Sequence, residues 1–389
     1  MEFPIDRVRD DTPGVANVAH FNNAGSSLPP SVVVEATVGH IHREAAIGGY
    51  EAAAEASERV DAVYTSLAKL IGASAREIAV VENATRAWDM AVYGFAFKPG
   101  DRVLTGRSEY SSNVIALLQL KATRGIEVVL IDDDEHGQID LAGLETELAK
   151  GATMVSLTHI PTSGGLVNPA AEVGQLCRAH DVCFVLDACQ SIGQMPLDVD
   201  TLCCDVLSAT GRKYLRGPRG TGFLYVREEW ISRITPPLLD NHAATWTGPD
   251  SFEIRADAKR FENWETNYAG KLGLGAAADY AMELGLAHTW PRVQQLAQEM
   301  RSRLAEINGL RVVDKGRVKS GIVTFYSEAE ATGSLQKRLS EAGVNSSIST
   351  GAGSVFDLGA RGITNVIRAS AHYFNTRAEI DRLIEALNN

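Results

Sequence analysis

From about residue 60 to residue 230, short apolar runs alternate with longer stretches in which apolar residues recur at helical spacing. The runs are 77–81, 102–105, 127–132, 154–159, 183–187, 205–209 and 222–226. Between them lie helix-like stretches such as 60–71 (VDAVYTSLAKLI), 141–149 (LAGLETELA) and 170–179 (AAEVGQLCRA). Strand and helix alternating this often predict an α/β layer fold with a mostly parallel sheet, here of seven strands. Ligands on such sheets bind beyond the carboxyl ends of the strands. Those ends are where chemistry is to be sought.

After Val226 the pattern changes. Residues 234–266 are rich in Pro, Trp and charge without clear periodicity, which reads as a long irregular connection. A long helical stretch follows from Lys271 to Leu286, with a continuation from Trp290 to Ile307. The remainder, with strands near 321–326 and 364–370 and a closing helix 377–387, reads as a small α+β unit. The expected division is an N-terminal segment, 1–20, packed on the small domain, a large domain 21–265, and a small C-terminal domain 266–389.

Composition narrows the function classes. The 389 residues exceed a usual single core, and 45% hydrophobic with 22% charged residues are ordinary globular values. Lys and Arg number 37 against 49 Asp and Glu, a net charge of -12, and no basic run stands out. Neither a nucleic acid nor an anionic membrane is therefore an expected partner. No apolar run spans a bilayer, and the charged N-terminus lacks a signal-peptide core. The five cysteines, Cys177, Cys183, Cys189, Cys203 and Cys204, are odd in number and lack zinc-ligand spacing. Reduced thiols in a cytoplasmic, metal-free protein are expected.

Four strand ends carry candidate chemistry. In 205–222 (DVLSATGRKYLRGPRGTG) Lys213 follows a strand, flanked by Thr210 and Arg212, which could serve an anionic phosphate. In 183–190 (CFVLDACQ) Asp187 ends a strand, where an acid can pair with a protonated ring nitrogen. In 81–88 (VENATRAW) a helix begins at Ala84 and Thr85, a ready phosphate site. In 107–113 (RSEYSSN) Tyr110 is placed to stack on a planar ring. Each has a plainer explanation alone: a solvated lysine, a helix cap at Asp187 or at 83–85, a packing tyrosine. Four complementary ends on one sheet are harder to explain that way. The glycine run 351–359 lacks a dinucleotide fingerprint's third glycine and is set aside.

In order, FNNAGSSLPP (21–30), NATRA (83–87), EYSSN (109–113), THIPTSGGLVNP (158–169), DACQSIG (187–193), TGRKYLRGPRGTG (210–222), RFENWETN (260–267) and IRASAHYFNT (367–376) resemble the class V aminotransferases of pyridoxal 5'-phosphate (PLP) fold type I. This superfamily includes cysteine desulfurases, cysteine C–S lyases and isopenicillin-N epimerases. The resemblance implies that Lys213 bonds the PLP aldehyde and later moves the Cα proton. It implies Asp187 on the ring nitrogen, Gln190 on the ring oxygen, Tyr110 in the usual place of a stacking histidine, and Thr162 in that of an asparagine. Ala84, Thr85, Thr210 and Arg212 would surround the phosphate, joined by Thr266 from a neighbouring subunit. Arg368 would grip the substrate carboxylate, with Asn23 and Ala24 lining the substrate side. A homodimer with the active site at the subunit interface follows from the same resemblance.

One departure shapes the expected reaction. A desulfurase needs a nucleophilic cysteine shortly before the carboxylate-binding arginine, and 344–362 contains none. The sequence reading therefore disfavours a persulfide-forming desulfurase. It expects a β-eliminating C–S lyase on cysteine, cystine or an S-substituted cysteine, releasing pyruvate and ammonia, with an aminotransferase or epimerase as the alternative. His20, His42, Arg43 and Trp88 are secondary candidates, each with a plainer structural role.

Overall fold

In the computed structural model, which describes residues 3–388, seven strands form the central sheet. They are β1 (Ile78–Val81), β2 (Arg102–Thr105), β3 (Glu127–Leu130), β4 (Met154–Thr158), β5 (Cys183–Asp187), β6 (Val206–Thr210) and β7 (Gly222–Val226). Their spatial order is β1-β7-β6-β5-β4-β2-β3. The pairs from β3 through β6 are parallel, and β7 runs antiparallel to both its neighbours. The carboxyl ends of β1, β2, β4, β5 and β6 therefore share one edge. Gly222, at the start of β7, pairs there with both Val81 and Thr210.

The apolar runs are continuous because these strands are covered on both faces. One face of the sheet turns Phe184, Leu186 and Leu207 toward helix α1 (Ser57–Ile71) and the helix over Tyr268–Leu284; the other turns Val185 and Val206 toward α2 (Ala84–Val92) and α3 (Ser111–Arg124). Each fully buried side chain of this size stabilises by about 1.5–3 kcal/mol. Helix α4 (Ala170–Ala179) links β4 to β5, and α5 (Tyr268–Leu284) precedes α6 (Leu286–Ala305). The helical stretch expected from Lys271 to Ile307 is thus two helices. Gly285, at φ 75°, breaks them in a conformation that glycine alone adopts without strain.

The stretch 234–266 is not wholly irregular. It contains a hairpin of β8 (Ala244–Gly248) and β9 (Ser251–Ile254), with Trp246 and Phe252 exposed. With no buried face, the hairpin lacks the apolar alternation that reveals a strand. A second sheet, in the order β10-β11-β13-β12, joins β10 (Leu310–Val312), β11 (Ile322–Ser327), β12 (Ser347–Thr350) and β13 (Asn365–Ser370). Helix α7 (Arg377–Asn388) packs on it. Near the N-terminus, Arg9 bonds the Phe374 carbonyl and Glu379, and Ala19 and His20 pair in parallel with Val344 and Asn345. No helix among the described residues is long and apolar enough to cross a membrane.

Candidate active site

The loop between β6 and β7 delivers the lysine. Beyond Thr210 the chain folds tightly on itself, with Gly217 N donating to the Gly211 carbonyl at 2.7 Å. Arg216, at φ 64°, is buried and donates to the Leu28 carbonyl, Thr12 Oγ1 and Tyr373 Oη. That anchored guanidinium fixes the turn on which Lys213 stands. Lys213 is buried, and its Nζ lies 5.8 Å from the centre of the Tyr110 ring. No hydrogen bond or ion pair engages that amine among the described residues. Burial lowers its pKa, Cys189 and Asp187 oppose the shift, and Arg212 and Arg368 reinforce it.

Asp187 ends β5 one strand away. Its Oδ1 accepts from Cys189 N at 2.9 Å and its Oδ2 from Asn113 Nδ2 at 3.1 Å. The capping role that Asp187 could have had is absent: its carboxylate binds one loop amide and one side chain, and no helix starts there.

The second sheet contributes the arginine. Arg368, on β13, donates through Nη1 to Thr162 Oγ1 at 2.8 Å and through Nη2 to Asn22 Oδ1 at 3.3 Å. Thr162 Oγ1 also accepts from Gln190 Nε2 at 2.9 Å. One threonine thus ties the arginine to the glutamine beyond Asp187. Burial pulls Arg368 down to about 10, with Arg212 adding in the same direction. Asn23 is placed differently from the expectation. Its amide is spent on the Ser370 and His20 carbonyls, and Asn22 is the residue that touches Arg368. Ala24 stays at the site through its backbone, its carbonyl accepting from Gln190 at 3.1 Å.

Beside Thr210, α2 opens with Ala84 and Thr85, and Asn83 caps it by accepting from Arg86 N at 2.9 Å. A Cβ at Gly222 would come within 3.0 Å of Ala84 N and 2.6 Å of the Ala209 carbonyl, so glycine is what lets the helix start approach the sheet. Arg212 bonds the Gly25 carbonyl. Thr266 lines a shallow depression with Val81, Gly220, Thr221 and Lys271, not with Lys213 or Asp187. Of the secondary candidates, Trp88 is core, Arg43 pairs with Glu55, and His20 bonds the Ser26 carbonyl.

Three residues escaped the sequence reading. Glu109 and Asn113 lie buried beside Tyr110, and His159 follows Thr158 with its ring fully buried and pushed down to about 4. The i, i+4 spacing of Glu109 and Asn113 at a helix start was the available signal.

The site fits PLP. Among the described residues Gln190 Oε1 and Arg368 Nε are buried without partners, and a buried amine stands near a carboxylate that one side chain and one amide engage and no cation pairs. Buried polar atoms are rarely left unpaired without a functional reason. A phosphorylated pyridine aldehyde and an amino acid carboxylate would supply those partners.

Fold and site together define a PLP fold type I enzyme. The chain belongs to the class-V aminotransferase family, whose model matches residues 19–383. It is 28% identical over 401 aligned positions to a probable cysteine desulfurase of Pyrococcus abyssi, covering all of this chain and 97% of that protein. It is similar to the apo structure of a cysteine desulfurase from Thermococcus onnurineus, with TM-score 0.91, 26% identity and coverage of 100% and 98%. A C-DES mutant with glycine covalently linked to its PLP cofactor aligns with TM-score 0.88 at 23% identity over 98% of this chain and 99% of that one, a likeness of fold. These findings overturn the expectation that disfavoured a desulfurase in favour of a β-eliminating lyase. The missing loop cysteine bears on which thiol can receive sulfur and not on the rest of the site.

Proposed function

We propose that the chain is a desulfurase-type PLP enzyme that takes sulfur from L-cysteine and passes it to a thiol from outside the chain. The full-length likeness to cysteine desulfurases supports the substrate. The observation that carries the acceptor is the absence of cysteine from 344–362, together with burial that pushes the Cys177, Cys183, Cys189 and Cys204 thiols well up and leaves them poor nucleophiles. The balance is cysteine plus a thiol giving alanine plus a persulfide: the Cβ–S bond breaks, an S–S bond forms, and the thiol's proton ends on carbon.

When bound, PLP withdraws the electron pair left at the substrate Cα. Lys213 takes and returns the Cα proton, a task its lowered pKa suits. Asp187 holds a proton at the ring nitrogen and Gln190 bonds the ring oxygen. Tyr110 stacks on the ring. Ala84, Thr85, Thr210 and Arg212 receive the phosphate. Arg368 clasps the substrate carboxylate with Thr162 and Asn22 steadying the guanidinium. A homodimer completes the reading. Val34, Val38 and Ile41 stand exposed on the helix 31–47, and Thr266, set apart from its own Lys213, is free to serve a partner's phosphate. Sedimentation showing a monomer at working concentration would count against that arrangement.

The test supplies L-cysteine with and without dithiothreitol and measures alanine, sulfide and pyruvate. Thiol-dependent alanine in step with sulfide is the expected result, and Arg368→Leu should raise KM by about a hundredfold. Pyruvate without alanine would overturn the desulfurase reading.

A further inference from the structure

The carboxylate of Asp187 is not held by its own loop alone. Asn113, 2% exposed on the first turn of α3, donates one N–H to Asp187 Oδ2 and the other to Glu109 Oε1, each at 3.1 Å. This orientation sets a donor, not an oxygen's lone pairs, against the Asp187 carboxylate. Glu109 is itself built in. Its Oε1 accepts from Tyr110 N at 2.9 Å and from the Thr158 hydroxyl, and its Oε2 from Thr105 Oγ1 at 3.1 Å and Thr158 N at 3.2 Å. The helix start, two strand ends and the ring-stacking tyrosine are all tied to one buried carboxyl group.

We propose that Asn113, anchored by Glu109, is a positioning residue that orients the Asp187 carboxylate and keeps the shared proton on the cofactor's ring nitrogen. The inference rests on the PLP reading of the site. The Glu109 carboxyl, on the loop after β2, and the Asp187 carboxylate, at the end of β5, repel, and burial followed by the Asp187 charge raises the Glu109 pKa. Asn113 sets a donor against each. A donor to Asp187 favours its ionised form, so its loss makes Asp187 more basic and draws the proton from the ring toward the carboxylate. The other titratable groups facing Asp187 are Lys213 from the β6–β7 loop and Cys189 from its own loop, with Arg212 close to both of these, while His159 meets Asp187 through its backbone N–H to the Asp187 carbonyl. None of these replaces the Asn113 donor, since Cys189 N already serves the other oxygen.

The experiment loads wild type, Asn113→Leu, Glu109→Gln and Asp187→Asn with PLP labelled with 15N in its ring. It records the ring 15N resonance, the visible absorbance, cofactor retention on dialysis, and kcat and KM. Leu matches Asn in shape but donates nothing. Asn113→Leu should keep its PLP and its Lys213-dependent absorbance, shift the resonance toward the unprotonated ring, and lose about tenfold in kcat with KM within about twofold. Glu109→Gln keeps an acceptor for Asn113 only by turning its NH2 onto the Thr158 N–H, so it should shift the resonance and kcat in the same direction as Asn113→Leu but by less. Should Asn113→Leu not fold, Asn113→Ser, which keeps one hydroxyl donor, should give a smaller shift in the same direction. A wild-type resonance and kcat in the folded Asn113 variant would overturn the inference while the Asp187→Asn shift upholds the cofactor reading. An Asp187→Asn variant with an unchanged resonance would bring down both.

Discussion

Two clusters of buried charge border the central sheet, and they differ in whether their hydrogen-bonding capacity is spent. Around Glu262 the carboxylate's capacity is spent, although His242 Nε2, 3.5 Å from it, makes no hydrogen bond among the described residues. One carboxylate oxygen accepts from Val80 N at 2.7 Å, the other from Tyr64 Oη at 2.9 Å, and Lys271 Nζ donates to Tyr64 Oη at 2.9 Å while lying 3.5 Å from the carboxylate. Burial would raise the Glu262 carboxyl, but His242, Lys271, Val80 and Tyr64 more than offset it and hold it below the usual range. Around Lys213 capacity is left over: an unpaired amine, Gln190 Oε1 and Arg368 Nε. Buried charge with its partners in place supports the fold. Where a lysine, an acid and an arginine converge with capacity left over, a ligand would complete the protein.

The sharpest way to break this contrast is to remove one charged group from each cluster. Lys213→Ala should lower turnover by about a thousandfold or more and abolish the lysine-dependent visible absorbance. The apoprotein should unfold no earlier, because the deleted amine is one whose charge burial opposes. Glu262→Gln should do the reverse. Breaking a satisfied buried ionic cluster costs about 3 kcal/mol, read as an earlier urea midpoint, while the absorbance of the loaded enzyme stays unchanged. Equal stability losses in the two variants would erase the distinction.

Much of this was legible in the chain because parallel strands buried on both faces leave continuous apolar runs, and all seven fell within two residues of the observed spans. Lys213 and Asp187 could be singled out as candidates because their segments end strands, whereas Gln190 and Arg368, the latter inside β13, followed only from the family resemblance. What escaped were contacts between distant segments. Nothing local to Asn23 says that its amide is spent on Ser370, nor that Asn22 turns to Arg368 instead. Glu109 was visible within EYSSN, but only the fold brings Thr158 and Asp187 to it. The hairpin of β8 and β9 escaped because it buries neither face.

A pH series extends the comparison to His159, whose backbone N–H bonds the Asp187 carbonyl while its buried ring Nδ1 has no partner among the described residues. Its ring, pushed down to about 4 from 6.5 by burial, stays neutral in the folded chain while the unfolded chain protonates. The unfolded state thus binds more protons between those values, and stability falls as pH drops from about 6.5 toward 4. One such group gives a slope of at most about 1.4 kcal/mol per pH unit. His372, buried and lowered likewise, adds its own. Urea unfolding of the apoprotein at pH 7 and pH 5 should therefore show a shallower acid loss in His159→Gln than in wild type, but not a flat one.

The smallest effect separates support of the fold from completion by ligand within a single residue. Asn83 accepts from Arg86 N and so satisfies one of the free amides that open α2, while leaving the neighbouring first-turn amides of Ala84 and Thr85 uncapped. Replacing it by Ala should cost about 1 kcal/mol of stability in the apoprotein. If those uncapped amides receive the phosphate, bound PLP supplies an anion at the helix start, and the deficit should narrow in the loaded enzyme. Thermal unfolding of both forms, with and without inorganic phosphate, reads this directly. A deficit of the same size in the apo and loaded forms would mean that the helix start is an ordinary capped end and that the phosphate is held by Thr210 and Arg212 without it.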